Sequence, residues 1–334
     1  MDTSLIERWE REGLITAVVA ERMRKDAARG GAGSSLLLLA ALLNGLVLFM
    51  FTQLHGMDVG IHEILLLWLV CVLPLAYGVR ARVLAAASSA LFILWFVAVC
   101  FRGLDPISML DRWTWLAPLV MLGGVTAFSL GGLHYLVPGF DNVARPARLV
   151  ALQAVLLGLF AMTLRPIAKG TSWFNELRDL GASQQVLIAV LGAALVTVGS
   201  TVATQMYRHR NLKITRVEAP VLLLLAALAV VFVLAPLPAD LAAIMANVVL
   251  VTLVLSVFVV GVKTRDRRLV RISGWSFTLC AALRAAEWGR EEFAAPALVA
   301  IALSIVIVGV ALTTLLAKRL KEATTTTTPT PPAG

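Results

Sequence analysis

Arg284 and Glu287 form the pair whose residue types and spacing most directly suggest chemistry, because they are opposite charges inside an otherwise apolar stretch. A separation of three residues places both side chains on one face of a helix. Trp288 lies on the same face, four residues after Arg284, where its ring can cover the guanidinium. Two interpretations stay open. Either the pair reaches out of the apolar stretch and anchors the helix end, or it faces a cavity and holds a polar ligand or a gate.

Three side-chain amides lie singly in other apolar stretches, namely Asn44, Gln153 and Asn247, and Gln205 lies in a further one. A polar group in such a place is costly unless it finds a partner. Its usual role is a hydrogen bond between helices, worth about 0.6–2 kcal/mol. The alternative is that the amides line a path for a substrate.

Residues that could support catalysis or hold a metal ion are scarce. His55, Asp58, His62 and Glu63 cluster in one short segment and could offer nitrogen and oxygen ligands, but their spacing matches no standard site. The sequence contains no phosphate-binding loop, no dinucleotide-binding glycine motif, no H-E-x-x-H motif and no C-x-x-C motif. We therefore expect a protein that is not an enzyme and that uses neither a cofactor nor a metal ion.

The elements that must position these residues are membrane helices. Hydrophobic residues make up 59% of the 334 residues, charged residues only 15%, and the mean hydropathy is +0.87. Soluble domains are about 45–50% apolar and about 25% charged, so this chain has too little charge to cover a surface in water. The composition predicts an all-α, polytopic membrane helix bundle whose main partner is the lipid bilayer.

The number of spans follows from stretches without charged residues, since a helix needs about 20 mostly apolar residues to cross the hydrocarbon core. Nine stretches qualify, and a tenth candidate, 272–292, is less apolar because it contains Arg284 and Glu287. The nine are 30–57, 64–79, 83–101, 113–140, 149–164, 180–207, 219–239, 241–262 and 293–317.

The distribution of basic residues favours ten spans with both termini in the cytoplasm. In that arrangement 22 of the 29 lysines and arginines, including Arg148, lie in cytoplasmic segments, as the positive-inside rule requires. Nine spans would place Lys318, Arg319 and Lys321 outside. The net charge of +9 is then explained by the orientation of the chain in the membrane and by attraction to anionic lipid. We therefore expect no nucleic-acid partner.

The chain divides into three parts. Residues 1–34 are rich in charge and predict a short cytosolic helical hairpin, with a stop at Gly13, a second helix capped by Thr16 and a flexible hinge at 30–35. Residues 35–317 form the ten-helix domain, and 318–334 form a basic stop and a low-complexity tail. Segment 1–29 either docks a cytosolic protein partner or rests on the membrane surface.

Small residues recur in the fourth stretch at Gly123, Ala127 and Gly131, four residues apart. Such a stripe lets a neighbouring helix backbone approach closely. It indicates helix packing inside one chain, with homodimerisation as the alternative.

The opening segment, Trp9 to Thr16 followed by Ala20-Glu21-Arg22, resembles the start of a bacterial membrane family, the one catalogued as domain-of-unknown-function family two-one-five-seven. The stretch from Asp266 to Trp275 is also similar to that family, where a basic loop leads into a Gly-bearing helix that ends in an Arg-aromatic-acid pattern. The resemblance covers both ends of the chain. It implies a multi-pass protein of the bacterial inner membrane, without an assigned activity.

Two functions therefore compete. The first is a non-enzymatic assembly, sensory or scaffold role that acts through the amino-terminal hairpin. The second is a secondary transporter or exporter of small molecules, similar in span count and length to ten-helix drug/metabolite exporters. A cavity lined by Asn44, Gln153 and Asn247 would favour transport, whereas a solidly packed core would favour the first role.

Overall fold

The structure is a computed structural model built from α-helices. It describes residues 7, 10–13, 16–57, 59–102, 109–137, 139–163, 183–206, 218–234, 239–264, 266–288 and 295–325. Within this part of the chain there are ten α-helices, one short 3₁₀ turn at His134–Leu136 and no strand. The helices are α1 (Ala17–Leu54), α2 (Ile61–Val79), α3 (Arg82–Arg102), α4 (Met109–Leu133), α5 (Asp141–Met162), α6 (Ser183–Met206), α7 (Glu218–Leu234), α8 (Ala239–Lys263), α9 (Arg267–Trp288) and α10 (Ala295–Thr325).

Seven segments of these helices are long and apolar enough to cross a membrane. Their outward surfaces carry large apolar side chains, such as Leu195 at 73% exposure and Ile188 at 64%, which suit hydrocarbon and not water. The expectation of an all-α protein with membrane-type helices is confirmed. The seven segments are Ser35–Leu54, Ile61–Val79, Arg82–Arg102, Leu116–Leu136, Asp141–Met162, Val186–Met206 and Leu241–Lys263.

The amino-terminal region has the expected turn and cap but not the expected hinge at 30–35. Gly13 has a positive φ of 69°, and Thr16 caps α1 by accepting a hydrogen bond from the Val19 amide at 3.5 Å. Helix α1 then continues without a break through 30–35 to Leu54. Glycine costs about 1 kcal/mol in a helix interior. The hydrogen-bond ladder continues from the apolar part of the same helix, and propagating a helix is easier than starting one.

The helices divide into two compact units. The first contains α1 to α3, the part of α4 from Leu119 onward, α5 as far as Val155, and α6 and α7. Its interior includes a cluster in which Ala41 of α1 packs with Leu69 and Val72 of α2 and with Leu84 of α3. Trp68 donates its indole N–H to the Ala41 carbonyl at 2.8 Å, which satisfies the half-buried indole.

The second unit contains the end of α5 and helices α8 to α10. Helices α9 and α10 approach closely through two reciprocal contacts. Gly274 of α9 lies against Thr313 of α10, and Gly309 of α10 lies against Thr278 of α9. Each pair joins a glycine to a threonine of the other helix, so both helices use the same Gly-x-x-x-Thr pattern in opposite directions. This is the small-residue packing that is common between membrane helices.

Candidate functional site

Arg284, predicted as a candidate functional residue, binds two oxygen atoms inside the second unit. Its Nη2 donates to the Thr163 carbonyl at 2.5 Å and to the Asn247 Oδ1 at 3.1 Å. Thr163 directly follows α5, so its carbonyl lies at a helix carboxyl end, where partial negative charge collects. The guanidinium is half-buried and is therefore held by neighbouring helices.

Asn247 is oriented for this contact. Its Nδ2 donates to the Ala243 carbonyl of the same helix at 2.7 Å, which leaves Oδ1 to accept from Arg284. The structure thus brings together two residues that the sequence suggested separately, and it adds Thr163, which sequence analysis missed. No signal in the sequence could have indicated it, because the acceptor is a backbone carbonyl.

The remaining predicted polar residues do not join this arrangement within the described residues. Glu287 and Trp288 belong to the last turn of α9, but their side chains lie outside what the structure describes. Asn44 and Gln153 are exposed on α1 and α5. These two amides are therefore not enclosed within the first unit.

A buried ion pair lies in the first unit, at a place that sequence analysis missed. The Arg148 Nη2 lies 2.5 Å from the Glu218 Oε2, and Arg148 is only 8% exposed. The guanidinium lies over the Phe128 ring, 4.0 Å from its centroid, and 5.4 Å from the centroid of Tyr135.

The burial of Arg148 was not expected from the sequence. Arg148 precedes the predicted span 149–164, and in the structure it lies inside α5, two turns after Asp141. The search for charge-free stretches began the fifth stretch after Arg148, whereas an arginine that is paired and stacked can be buried. Glu218 begins α7, where the helix amino terminus favours a negative charge.

A row of hydroxyl groups joins α4 to α6 in the same unit. The Thr126 and Thr197 hydroxyl oxygens are 3.1 Å apart, and those of Ser129 and Ser200 are 2.8 Å apart. The residue numbers of both contacts increase together along the two helices, so α4 and α6 run parallel. These hydroxyls were not among the predicted polar contacts, although their spacing of three residues along each helix is visible in the sequence.

Next to the ion pair, two buried polar atoms have no hydrogen-bond partner among the described residues. They are the Arg148 Nε and the Thr201 Oγ1. Both residues line a small cavity of about 10 Å³, together with Ser129, Gln205 and Glu218. A cavity of this size is at the lower limit for one water molecule, which could bridge the two atoms.

The predicted small-residue stripe is buried within the first unit. Gly123 faces Phe96 of α3, and a side chain at Gly131 would meet the stem of Arg148. Ala127 is 7% exposed. The stripe therefore faces helices of the same chain, and one of its members makes room for the buried arginine.

A larger apolar cleft of about 460 Å³ lies between helices of the first unit, and its polar rim is formed by Tyr77 and His134. The Tyr77 Oη lies 2.5 Å from the His134 Nε2. The His134 Nδ1 faces two carbonyls, those of Leu130 and Gly131, at 3.2 and 3.3 Å. Because carbonyls only accept, Nδ1 carries the proton, and in the neutral ring Tyr77 donates to Nε2.

The histidines considered as metal ligands have other partners. The His62 Nε2 lies 2.9 Å from the Arg102 Nη1, and the His55 Nδ1 bonds the Phe51 carbonyl at 3.0 Å. Asp58 lies outside the described residues. In the described part of the chain, no group of three or more His, Cys, Asp or Glu side chains is placed to hold a metal ion.

Comparisons with known proteins give no match. No protein-family model matches the chain, and neither the curated proteins nor the solved structures include a significant match. The resemblance to the bacterial membrane family stays a prediction from the motifs at the two ends of the chain.

Proposed function

We propose that this chain is a multi-pass protein of the bacterial inner membrane, with ten spans and both termini in the cytoplasm. The support is the 22-to-7 distribution of basic residues, together with ten α-helices in the part of the chain that the structure describes, of which seven contain clear membrane-type segments. The remaining three spans would be α7, α9 and α10.

The role we propose is assembly without catalysis, with α1 as the contact element. Asn44 carries this proposal. Its side chain is exposed on α1 and has no hydrogen-bond partner among the described residues. Val47 and Phe51 continue the same helix face and are 63% and 50% exposed. An amide that faces hydrocarbon gains a hydrogen bond when another helix covers it.

The partner at this face is a second copy of the chain. An asparagine side chain both donates and accepts, so Asn44 can pair with Asn44 of another copy across a symmetric contact. The cytosolic segment 1–29 includes the first turns of the same helix and would then be held beside its counterpart, where a cytosolic protein could bind it.

The positions of the amides do not favour the alternative, an exporter of small molecules. Asn44 and Gln153 are exposed, and Asn247 is bonded to Arg284. The two larger cavities that the described residues form, of about 530 and 460 Å³, have largely apolar walls.

The test is co-purification of two copies that carry different affinity tags and are expressed in the same membrane. We expect the wild-type copies to co-purify. Asn44→Leu should lower the amount of recovered partner about fivefold, which corresponds to a loss of about 1 kcal/mol in the free energy of association. Asn44→Gln keeps the amide and should retain most of the association.

Gln153→Leu is the matched control, because it removes an exposed amide from α5 and should leave co-purification unchanged. Equal recovery of wild type and Asn44→Leu would contradict the assembly role at this face.

A further inference from the structure

Arg80 has an unusual backbone conformation at the mouth of the apolar cleft. It follows α2 with φ 52° and ψ 34°, and it is the one residue other than glycine with positive φ in the part of the chain that the structure describes. This conformation is unfavourable for a residue with a Cβ and is usually taken by glycine. Such strain is found where the side chain has a task.

The guanidinium of Arg80 is held next to the cleft. It lies over the ring of Phe140, 5.2 Å from the centroid, and Phe140 lines the cleft. The Phe140 ring is 5.6 Å from Tyr77, which forms the polar rim with His134. A chain of contacts therefore leads from the exposed Arg80 guanidinium through the two aromatic rings to the His134 imidazole in the cleft.

A second arginine is fixed beside the first. Arg82 begins α3, and its Nη2 donates to the Asn142 Oδ1 at 3.2 Å. The side chains of both arginines are exposed, although each is oriented by a contact. Asp141 and Arg145 lie in the first turns of α5 nearby, so the local charge stays positive.

We propose that this cleft binds an anionic phospholipid, with an acyl chain between the helices and the phosphate on Arg80 and Arg82. The walls of the cleft are apolar, with Leu69, Leu73 and Leu130 among them, and the cleft is open to its surroundings. An apolar cavity of several hundred Å³ with a few polar groups at one end is the usual form of a ligand site. Basic pockets between membrane helices bind anionic headgroups, and arginine suits the phosphate.

The test uses the full-length chain, purified in detergent and mixed with equal amounts of phosphatidylglycerol and phosphatidylcholine. Native mass spectrometry then counts the retained molecules of each lipid. We expect at least fivefold preference for phosphatidylglycerol. We expect the double variant Arg80→Gln/Arg82→Gln to retain both lipids equally.

The control is Arg268→Gln/Arg271→Gln, which removes two exposed arginines of α9 and should keep the preference. The proposal would be overturned if the Arg80 and Arg82 variant kept its preference for phosphatidylglycerol, or if the control variant lost that preference to the same extent. Thermal unfolding of each variant verifies that the protein is folded before lipids are counted.

Two further arms test the apolar part of the site. Leu130→Trp fills the cleft and should lower retention of phosphatidylglycerol at least threefold with both arginines present. Inorganic phosphate should not displace the lipid at millimolar concentration. Displacement by phosphate alone, or full retention in a folded Leu130→Trp variant, would show that no acyl chain enters the cleft.

Discussion

At the residue scale, Arg80 is expected to lower the stability of the fold while it contributes to lipid binding, and the first effect can be measured. Arg80→Gly removes the strain of the left-handed conformation and should raise the free energy of unfolding by about 1 kcal/mol. The measurement is thermal unfolding in detergent without added lipid.

Arg82→Gly provides the contrasting control, because Arg82 begins a right-handed helix, so glycine relieves no strain there and should not raise stability. Loss of stability in both variants would mean that the contact of Arg80 with Phe140 outweighs the strain.

The buried pair of Arg148 and Glu218 gives a second prediction at this scale. Glu218→Leu leaves the guanidinium buried without its counter-charge, which typically costs about 3–5 kcal/mol. Chemical or thermal unfolding in detergent should report this loss.

The double variant Arg148→Met/Glu218→Leu removes both charges and should recover most of the stability, since an apolar pair can replace a buried ion pair. If the double variant is as unstable as Glu218→Leu, an uncompensated charge is not the cause of the lost stability.

Sequence reasoning at this scale identified single residues better than pairs. It selected Arg284 and Asn247, because a polar residue in an apolar stretch is conspicuous in one dimension. It could not predict the contact of Arg284 with the Thr163 carbonyl, because a backbone acceptor leaves no mark in a sequence. It did not predict the burial of Arg148, because a rule that ends spans at charges cannot represent a charge that is neutralised by a distant partner.

At the element scale, the reciprocal glycine contacts of α9 and α10 predict a clear steric effect. A Cβ at Gly274 would overlap Thr313, so Gly274→Ala should force the two helices apart and cost about 1–3 kcal/mol. The measurement is thermal unfolding of the purified variant in detergent.

Gly192→Ala in α6 is the matched control, because a Cβ there meets nothing within 4 Å. It should leave stability unchanged or raise it by up to about 1 kcal/mol, owing to the better helix propensity of alanine. Equal effects of the two substitutions would contradict close packing between α9 and α10.

The positions of the helices could largely be predicted from the sequence, whereas the course of α1 could not. Hydrocarbon excludes charge, so the apolar stretches indicate the helices directly. The glycines at 30 and 31 suggested a hinge, but propensity is a weak local preference that the rest of a long helix can override. The structure accordingly has one helix from Ala17 to Leu54.

At the scale of the whole molecule, the ten-span topology is testable with two reporter fusions. A reporter placed after Ala317 should lie in the cytoplasm, and one placed after Glu292 should lie outside, because the basic residues are distributed 22 to 7. The measurement is the activity of a compartment-specific reporter in intact cells. Both reporters on the same side would exclude α10 as a span that follows α9 and would remove the ten-span arrangement.

The hydroxyl row between α4 and α6 has a consequence for how the protein is made. Each of these hydroxyls also lies within hydrogen-bond distance of a carbonyl of its own helix, as Thr126 does with Leu122 at 2.9 Å and Thr197 does with Ala193 at 2.8 Å, so its one proton can be donated there before the helices pair. Each helix can therefore leave the insertion machinery alone without carrying these hydroxyls unsatisfied into lipid. Pairing between helices can follow later, as a separate stage. Serine and threonine thus give α4 and α6 a means of recognising each other that adds little to the cost of entering the membrane.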